Sequence, residues 1–278
     1  MRKLMIALDA EKLDQQSVLF GYYLARLTRS GITGIFLENL SAEDTQAEDF
    51  VYSSAFTGTD KQGGEPEIKF KEKASLENIR TFKAATEKQG IACRVHRDQG
   101  VPIEELLTES RYADVIITGP MLFGASPLEI PADMVEDLLI KSECPVMITS
   151  QRAEPVAKIL FASDGSASSL FAIKQFTYLF PELNATEMIV LQADEDAVFS
   201  ETQKEKLYEY LKEHYSRIDF KDLRGKPRDE LFDFTLREHN ACLVMGAYGR
   251  NWLSRLFKPS TAGLVLKINN LPVFISHR

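Results

Sequence analysis

The sequence predicts an α/β chain built as two tandem, doubly wound parallel-sheet domains, and three observations predict it. Short apolar runs that do not alternate with polar residues recur along the chain, as strands buried on both faces require. Stretches with apolar residues at helical spacing separate them. The second half then repeats the first in the same order. At 278 residues the chain is long enough for two such units.

In chain order, the first run is Leu4 to Leu8 (LMIAL), closed by Asp9. Residues 15–29 place Val18, Leu19, Tyr22, Tyr23, Leu24 and Leu27 at helical spacing, and Gly34 to Leu37 reads as a second strand. Residues 41–66 are polar and acidic, with Gly58, Gly63, Gly64 and Pro66, and read as a long loop. From Ile68 to Gln89 a helix is expected, its apolar side formed by Phe70, Ala74, Leu76, Ile79, Phe82 and Ala85. Ile91 to His96 reads as a strand. Gly100-Val-Pro-Ile-Glu-Glu-Leu-Leu turns into a helix, with proline in the first turn where a missing N–H costs nothing. Asp114 to Thr118 (DVIIT) is another buried strand. A helix near 132–141 and a strand at Cys144 to Thr149 (CPVMIT) close this half. Strands and helices in strict alternation imply right-handed crossovers and a parallel sheet.

Lys3-Leu4-Met5-Ile6-Ala7-Leu8-Asp9 is echoed by Lys158-Ile159-Leu160-Phe161-Ala162-Ser163-Asp164. Gly100-Val-Pro-Ile-Glu-Glu-Leu is echoed by Gly225-Lys-Pro-Arg-Asp-Glu-Leu, and Asp114-Val-Ile-Ile-Thr-Gly119 by Cys242-Leu-Val-Met-Gly246. Cys144-Pro-Val-Met-Ile returns as Leu271-Pro-Val-Phe-Ile. The second copy is shorter, mostly because it has no counterpart of the 41–66 loop. The expected units are 1–150 and 156–278, joined near Gln151-Arg152-Ala153-Glu154-Pro155.

With 44% hydrophobic and 27% charged residues the chain is of globular composition. A net charge of −8 and a pI near 5.2 leave no basic surplus for general nucleic-acid binding. No apolar run approaches the ~20 residues that span a bilayer. The opening MRKLMIALDAEK turns acidic at Asp9, a poor secretory signal. Cys93, Cys144 and Cys242 lie far apart without a CxxC, and read as reduced core residues of a cytoplasmic protein.

Against the acidic background, Leu243 to Thr261 (LVMGAYGRNWLSRLFKPST) stands out. It carries Arg250, Arg255 and Lys258 and no Asp or Glu. A strand that ends in a glycine turn and feeds a helix aims backbone N–H groups at one place, which suits an anion. A tight turn kept only for packing is the plainer alternative.

These residues carry a resemblance: each half is similar to the universal stress protein family, a small Rossmann-like α/β fold of the adenine nucleotide alpha-hydrolase type. The second half ends its first strand in Ala162-Ser163-Asp164-Gly165-Ser166, like the family's DGS turn. The family's nucleotide signature is G-x2-G-x9-G-[ST]. Gly246 and Gly249 fill its first two positions, Ser260 the last, and Pro259 replaces the third glycine. Proline has no N–H for a phosphate, and its fixed φ restricts how the loop approaches one.

The resemblance implies an adenine nucleotide (ATP, ADP or AMP) in the second half, with Mg2+ accompanying the phosphates, in a stress-response sensor or regulator. Ala162, Ser163 and Asp164 would meet the nucleoside, Ala193 the adenine, Met245 and Gly246 the ribose and phosphates, and Gly249, Ser260 and Thr261 the phosphate tail. Asp164 is also read as the cap of the following helix. The alternative is a nucleotide-free scaffold acting through a protein or small ligand. The resemblance further implies that the halves pack as a pseudo-twofold dimer, pairing CPVMIT with LPVFIS, with room for a further homodimer.

The first half departs from the signature. Leu122 stands where the second glycine would be and Asp133 where the serine would be, while Glu129, Asp133 and Glu136 offer like charge to a phosphate. Ala10 and Glu11 replace Gly-Ser after Asp9. This copy is expected not to bind nucleotide.

No enzyme motif accompanies the fold: there is no SGGxDS, GxxxxGK[ST], GxSxG or HIGH pair. His96, His214, His239 and His277 are scattered without metal-ligand spacing, and no residue qualifies as a hydrolytic base, so catalysis is not expected. Phe171, Phe176, Tyr178 and Phe180 are expected to face the core.

Overall fold

The computed structural model describes residues 3–38, 65–98, 100–120, 122, 133–152, 154–193, 200–223, 227–246 and 270–276. The 41–66 loop falls outside them except for its last two residues, which begin a helix. Among the described residues ten strands form one sheet. They are β1 (Lys3–Asp9), β2 (Gly31–Leu37), β3 (Cys93–Asp98), β4 (Val115–Thr118), β5 (Val146–Ile148), β6 (Lys158–Ser163), β7 (Glu187–Ala193), β8 (Ile218–Leu223), β9 (Ala241–Gly246) and β10 (Val273–Ser276). Their order across the sheet is β3-β2-β1-β4-β5-β10-β9-β6-β7-β8.

Within β1–β5 and within β6–β10 every pairing is parallel. The two sets meet where β10 runs antiparallel to β5, with Val273 opposite Ile148, Phe274 opposite Met147 and Ile275 opposite Val146. The order on one side of this seam mirrors the other, which is the pseudo-twofold arrangement of two doubly wound units. The central strands β1, β4, β6 and β9 are buried almost throughout, as their unbroken apolar runs require.

Helices cover both faces. One face carries α1 (Gln15–Thr28), α2 (Glu65–Lys88), α5 (Ala167–Leu179) and α6 (Glu201–Lys212), whose Phe20, Phe82, Phe176 and Leu207 join one apolar core. The other carries α3 (Pro102–Ser110), α4 (Asp133–Lys141) and α7 (Pro227–Arg237), contributing Leu106, Leu138 and Leu231. Both cores run unbroken across the seam.

Local chemistry starts and stops these helices. Asp14 caps α1 by accepting from the Gln16 amide at 3.0 Å, and Arg29 in the left-handed region (φ 50°) ends it. Ser200 and Gln203 form a reciprocal capping box at the start of α6. The connection into the second set is tied to the first, since the Val156 amide donates to the Tyr23 hydroxyl of α1 at 3.0 Å.

Two expected faces differ. On α2 the buried stripe is Ser75, Ile79, Phe82 and Thr86, whereas Phe70 (73% exposed) and Leu76 point outward. Two stripe members are polar yet satisfied: Thr86 donates to the Phe82 carbonyl at 2.7 Å, and Ser75 to Glu38 at 2.8 Å. Tyr178 is exposed, while Phe176 and Phe180 on the same segment are buried and tilted against each other. Cys144 and Cys242 are buried and Cys93 half-buried, all free. No described helix is long and apolar enough to cross a membrane.

Candidate functional site

In an open α/β sheet a ligand crevice forms beyond the carboxyl ends of the strands, where neighbouring strands send their connections to opposite sides. In the second set that point lies between β6 and β9. Phe161 pairs with Val244 there, which brings the ends of both strands level. On the other side of β6, Ser163 pairs with Gln192, one residue before Ala193. Ala162, Ser163, Asp164, Ala193, Met245 and Gly246 therefore come together along one edge. Gly249, Ser260 and Thr261, with Pro259, Arg250, Arg255 and Lys258, lie outside the described residues.

A serine network shapes the turn after β6. Gly165 takes φ 74°, where a side chain would be strained. Its amide donates to the buried Ser163 Oγ at 3.3 Å, and Ser163 Oγ lies 3.1 Å from Ser169 Oγ. Ser166, not Asp164, is the N-cap of α5, accepting from the Ser169 amide at 3.2 Å. Asp164 instead braces the turn by accepting from the Ser166 amide at 2.9 Å. The expected cap thus falls two residues later, because the glycine turn carries the helix start past the aspartate.

Charge at this edge is set by those serines. Partial burial raises the Asp164 carboxyl, but hydrogen bonds from Ser166 and Ser169 outweigh it and hold the group below its ordinary 3.8. Asp164 is an exposed carboxylate at a helix N-terminus, able to accept from a hydroxyl or an exocyclic amine.

Gly246 has its own local reason. A Cβ there would stand 2.7 Å from the carbonyl carbon and 2.8 Å from the carbonyl oxygen of Ser168. The first turn of α5 rests directly on the end of β9, so only glycine fits. Sequence reasoning missed this role of Ser168, because the approach is tertiary.

The matching edge of the first set is built differently. Between β1 and α1 the chain runs Asp9 to Asp14, three residues longer than the Asp164-Gly165-Ser166 turn. Asp9 accepts from the Glu11 and Lys12 amides at 2.8 and 3.2 Å, and Asn78 of α2 clamps the loop by donating to the Ala10 and Glu11 carbonyls. Burial pushes the Asp9 carboxyl up, and the two amides pull it back only in part. A Cβ on Gly119 would lie 2.3 Å from Asp14 Oδ2, so an aspartate sits where a phosphate would approach. Asp14 also accepts from Ser17 Oγ at 2.5 Å, and Ser17 reaches Thr149 Oγ1 at 3.0 Å. Leu122 is buried, while Glu129 and the side chain of Asp133 lie outside the described residues.

At the second edge the exposed Asp164 carboxylate is the polar group open to a hydroxyl or amine, while Ser163 and Ser169 are buried and spend their hydroxyls within the turn. The first edge, with Asp9 and Asp14, does not fit a phosphate chain. Among the described residues no three His, Cys, Asp or Glu side chains converge as a metal site.

Neither a protein-family model nor a curated protein matches the sequence. Solved structures do match the fold. A universal stress protein from Archaeoglobus fulgidus superposes with TM-score 0.68 at 18% identity, covering 99% of this chain and 98% of that one. A functionally unknown protein from Pseudomonas aeruginosa gives TM-score 0.58 at 16% identity, covering 100% and 92%. The chain therefore has the two-unit α/β fold of a universal stress protein structure over essentially its whole length.

Proposed function

We propose that the chain is a tandem universal-stress-type protein, with units 1–150 and 156–278, that binds an adenine nucleotide at the carboxyl edge of β6, β7 and β9 and acts as a sensor or regulator rather than an enzyme. The observation that carries this reading is the convergence of Asp164, Ala193, Met245 and Gly246 at the point where the strand order reverses. The G-x2-G sequence and three basic residues follow Met245 directly. Asp164 stays ionised and takes the ribose or the base, and Ala162 and Ala193 flank the ring. The phosphates, with Mg2+, belong to Gly249, Ser260 and Thr261. The first edge, acidic and clamped by Asn78, is assigned no nucleotide.

A second reading, a nucleotide-free scaffold, is favoured by Gly246 itself, because Ser168 alone accounts for the missing side chain. Equilibrium dialysis with ATP separates the two. Uptake by the wild type that Gly249→Asp abolishes is expected. No uptake at millimolar ATP would overturn the nucleotide reading, and uptake indifferent to the substitution would move the site elsewhere. Product release above the buffer rate would restore an enzymatic role.

A further inference from the structure

Strand β8 (Ile218–Leu223) is one outer edge of the sheet, with no described strand beyond it. The Met188 amide of β7 donates to the Arg217 carbonyl at 3.1 Å, so the main-chain groups of Arg217, Asp219 and Lys221 face β7. Those of Ile218, Phe220 and Asp222 alternate with them and point away from the sheet, open to a further strand. Side chains alternate as well. Half-buried Ile218 and Phe220 pack on the core that α6 covers, and Asp222 meets Lys204 of α6 at 3.2 Å. Asp219 and Lys221 stand on the other face, both exposed, with the Lys221 ammonium 4.3 Å over the Phe234 ring of α7.

This pattern is complementary to itself. Across a twofold axis beside Phe220, the edge meets a second copy antiparallel, with Phe220 opposite the partner's Phe220 and Ile218 opposite the partner's Asp222. These are the residues whose amides and carbonyls point outward, so each pair exchanges two hydrogen bonds, as an antiparallel ladder requires. The positions between them set Asp219 against the partner's Lys221, and Lys221 against the partner's Asp219. Such non-hydrogen-bonded pairs bring facing Cα atoms within about 4.5 Å, where unlike charges attract. Sliding the copies by two residues either way sets Asp219 against the partner's Asp219, or Lys221 against the partner's Lys221. Charged side chains on an edge ordinarily discourage pairing; here they select one register. In a chain of net charge −8, Arg217 and Lys221 balance Asp219 and Asp222 along this edge. The opposite edge, β3, is not matched in this way: outward-facing Val95 set against the partner's Val95 puts Arg94 opposite the partner's His96.

We propose that β8 is the docking edge for a second copy of this chain, pairing antiparallel with the partner's β8 in the register centred on Phe220. The sheet then continues from one copy into the next, and the twofold axis closes the assembly as a dimer, the commonest oligomer symmetry. The proposal does not rest on nucleotide binding.

Sedimentation velocity of the full chain tests it, with charge variants at Asp219 and Lys221. The wild type is expected to reach twice its 31.4 kDa mass as concentration rises. Lys221→Asp and Asp219→Lys each set like charges opposite one another and should weaken the dimer by about tenfold or more. Asp219→Lys leaves Lys221 over Phe234, so it stands as the test if Lys221→Asp lowers the thermal melt. The double variant Asp219→Lys/Lys221→Asp exchanges the charges and should return the dimer, which a merely structural role for either residue would not do. A wild type that stays monomeric, a dimer undiminished by the single variants, or a double variant no better than they are overturns the proposal. Assembly that grows past the dimer also overturns it, because β8 would then pair with the β3 edge of the next copy.

Discussion

Phe274 of β10 stands opposite Met147 of β5 in the antiparallel seam that joins the two sets of strands. Both are fully buried, and Phe274 meets Phe176 edge-on at 5.2 Å and Phe180 at 6.2 Å between ring centroids. Phe274→Ala should cost about 3–5 kcal/mol through lost burial and a residual cavity. Because both cores cross the seam, urea unfolding followed by far-ultraviolet circular dichroism should shift as one transition. Two separated transitions would show that the halves unfold independently.

Gly246→Ala places a methyl against Ser168 backbone atoms, which have no rotamer to yield. Helix α5 must lift from β9, a change expected to cost about 1–3 kcal/mol. A thermal melt checks it. An unchanged midpoint would show that the close approach is not a constraint.

Asp9 and Asp164 occupy matching positions at the ends of β1 and β6 but should respond to pH with opposite sign. The raised carboxyl of Asp9 favours its protonated form in the folded chain, so its penalty is absent below the ordinary 3.8 and complete above its folded pKa. Asp9→Asn, which keeps an acceptor for the Glu11 amide, should stabilise at neutral pH and lose that advantage as pH falls. The lowered carboxyl of Asp164 stabilises above 3.8 and loses this as pH falls through its folded pKa. Asp164→Asn should therefore destabilise at neutral pH and become neutral in acid. Denaturant midpoints at neutral and acid pH read both, and variants that shift in the same direction would contradict the assignment.

The three thiols should titrate in two classes. Burial pushes Cys144 up to about 11 and Cys242 higher still, so neither supplies thiolate to a reagent in the native state. Cys93 is also raised by burial but is half-exposed on β3. Ellman's reagent near pH 8 should modify Cys93 alone, slowly, and reach the other two only in denaturant. Native reactivity that survives Cys93→Ser would refute this.

The buried strands were legible because their composition leaves no alternative: LMIAL and the VII of Val115 to Ile117 have no polar face to turn outward. The edge strand β8 was not, because IDFKDL alternates polar and half-exposed positions like a solvated loop. The stripe of α2 was misphased for a related reason. Ser75 and Thr86 are buried by virtue of hydrogen bonds that no hydropathy pattern shows, while Phe70 and Leu76 are exposed. At the candidate site, the positions that end strands followed from the repeat. Asp14 over Gly119, and Ser168 under Gly246, depend on how a helix settles on the sheet, which spacing along the chain does not encode.

The antiparallel seam has a directional consequence. With each set of strands parallel within itself, the carboxyl ends of β1–β5 and those of β6–β10 point to opposite poles of the molecule. The edge at Asp164 and the acidic edge at Asp9 can share neither a ligand nor a common lid. What joins the two poles is the seam itself, the pairing of β10 with β5 together with the two apolar cores that cross it.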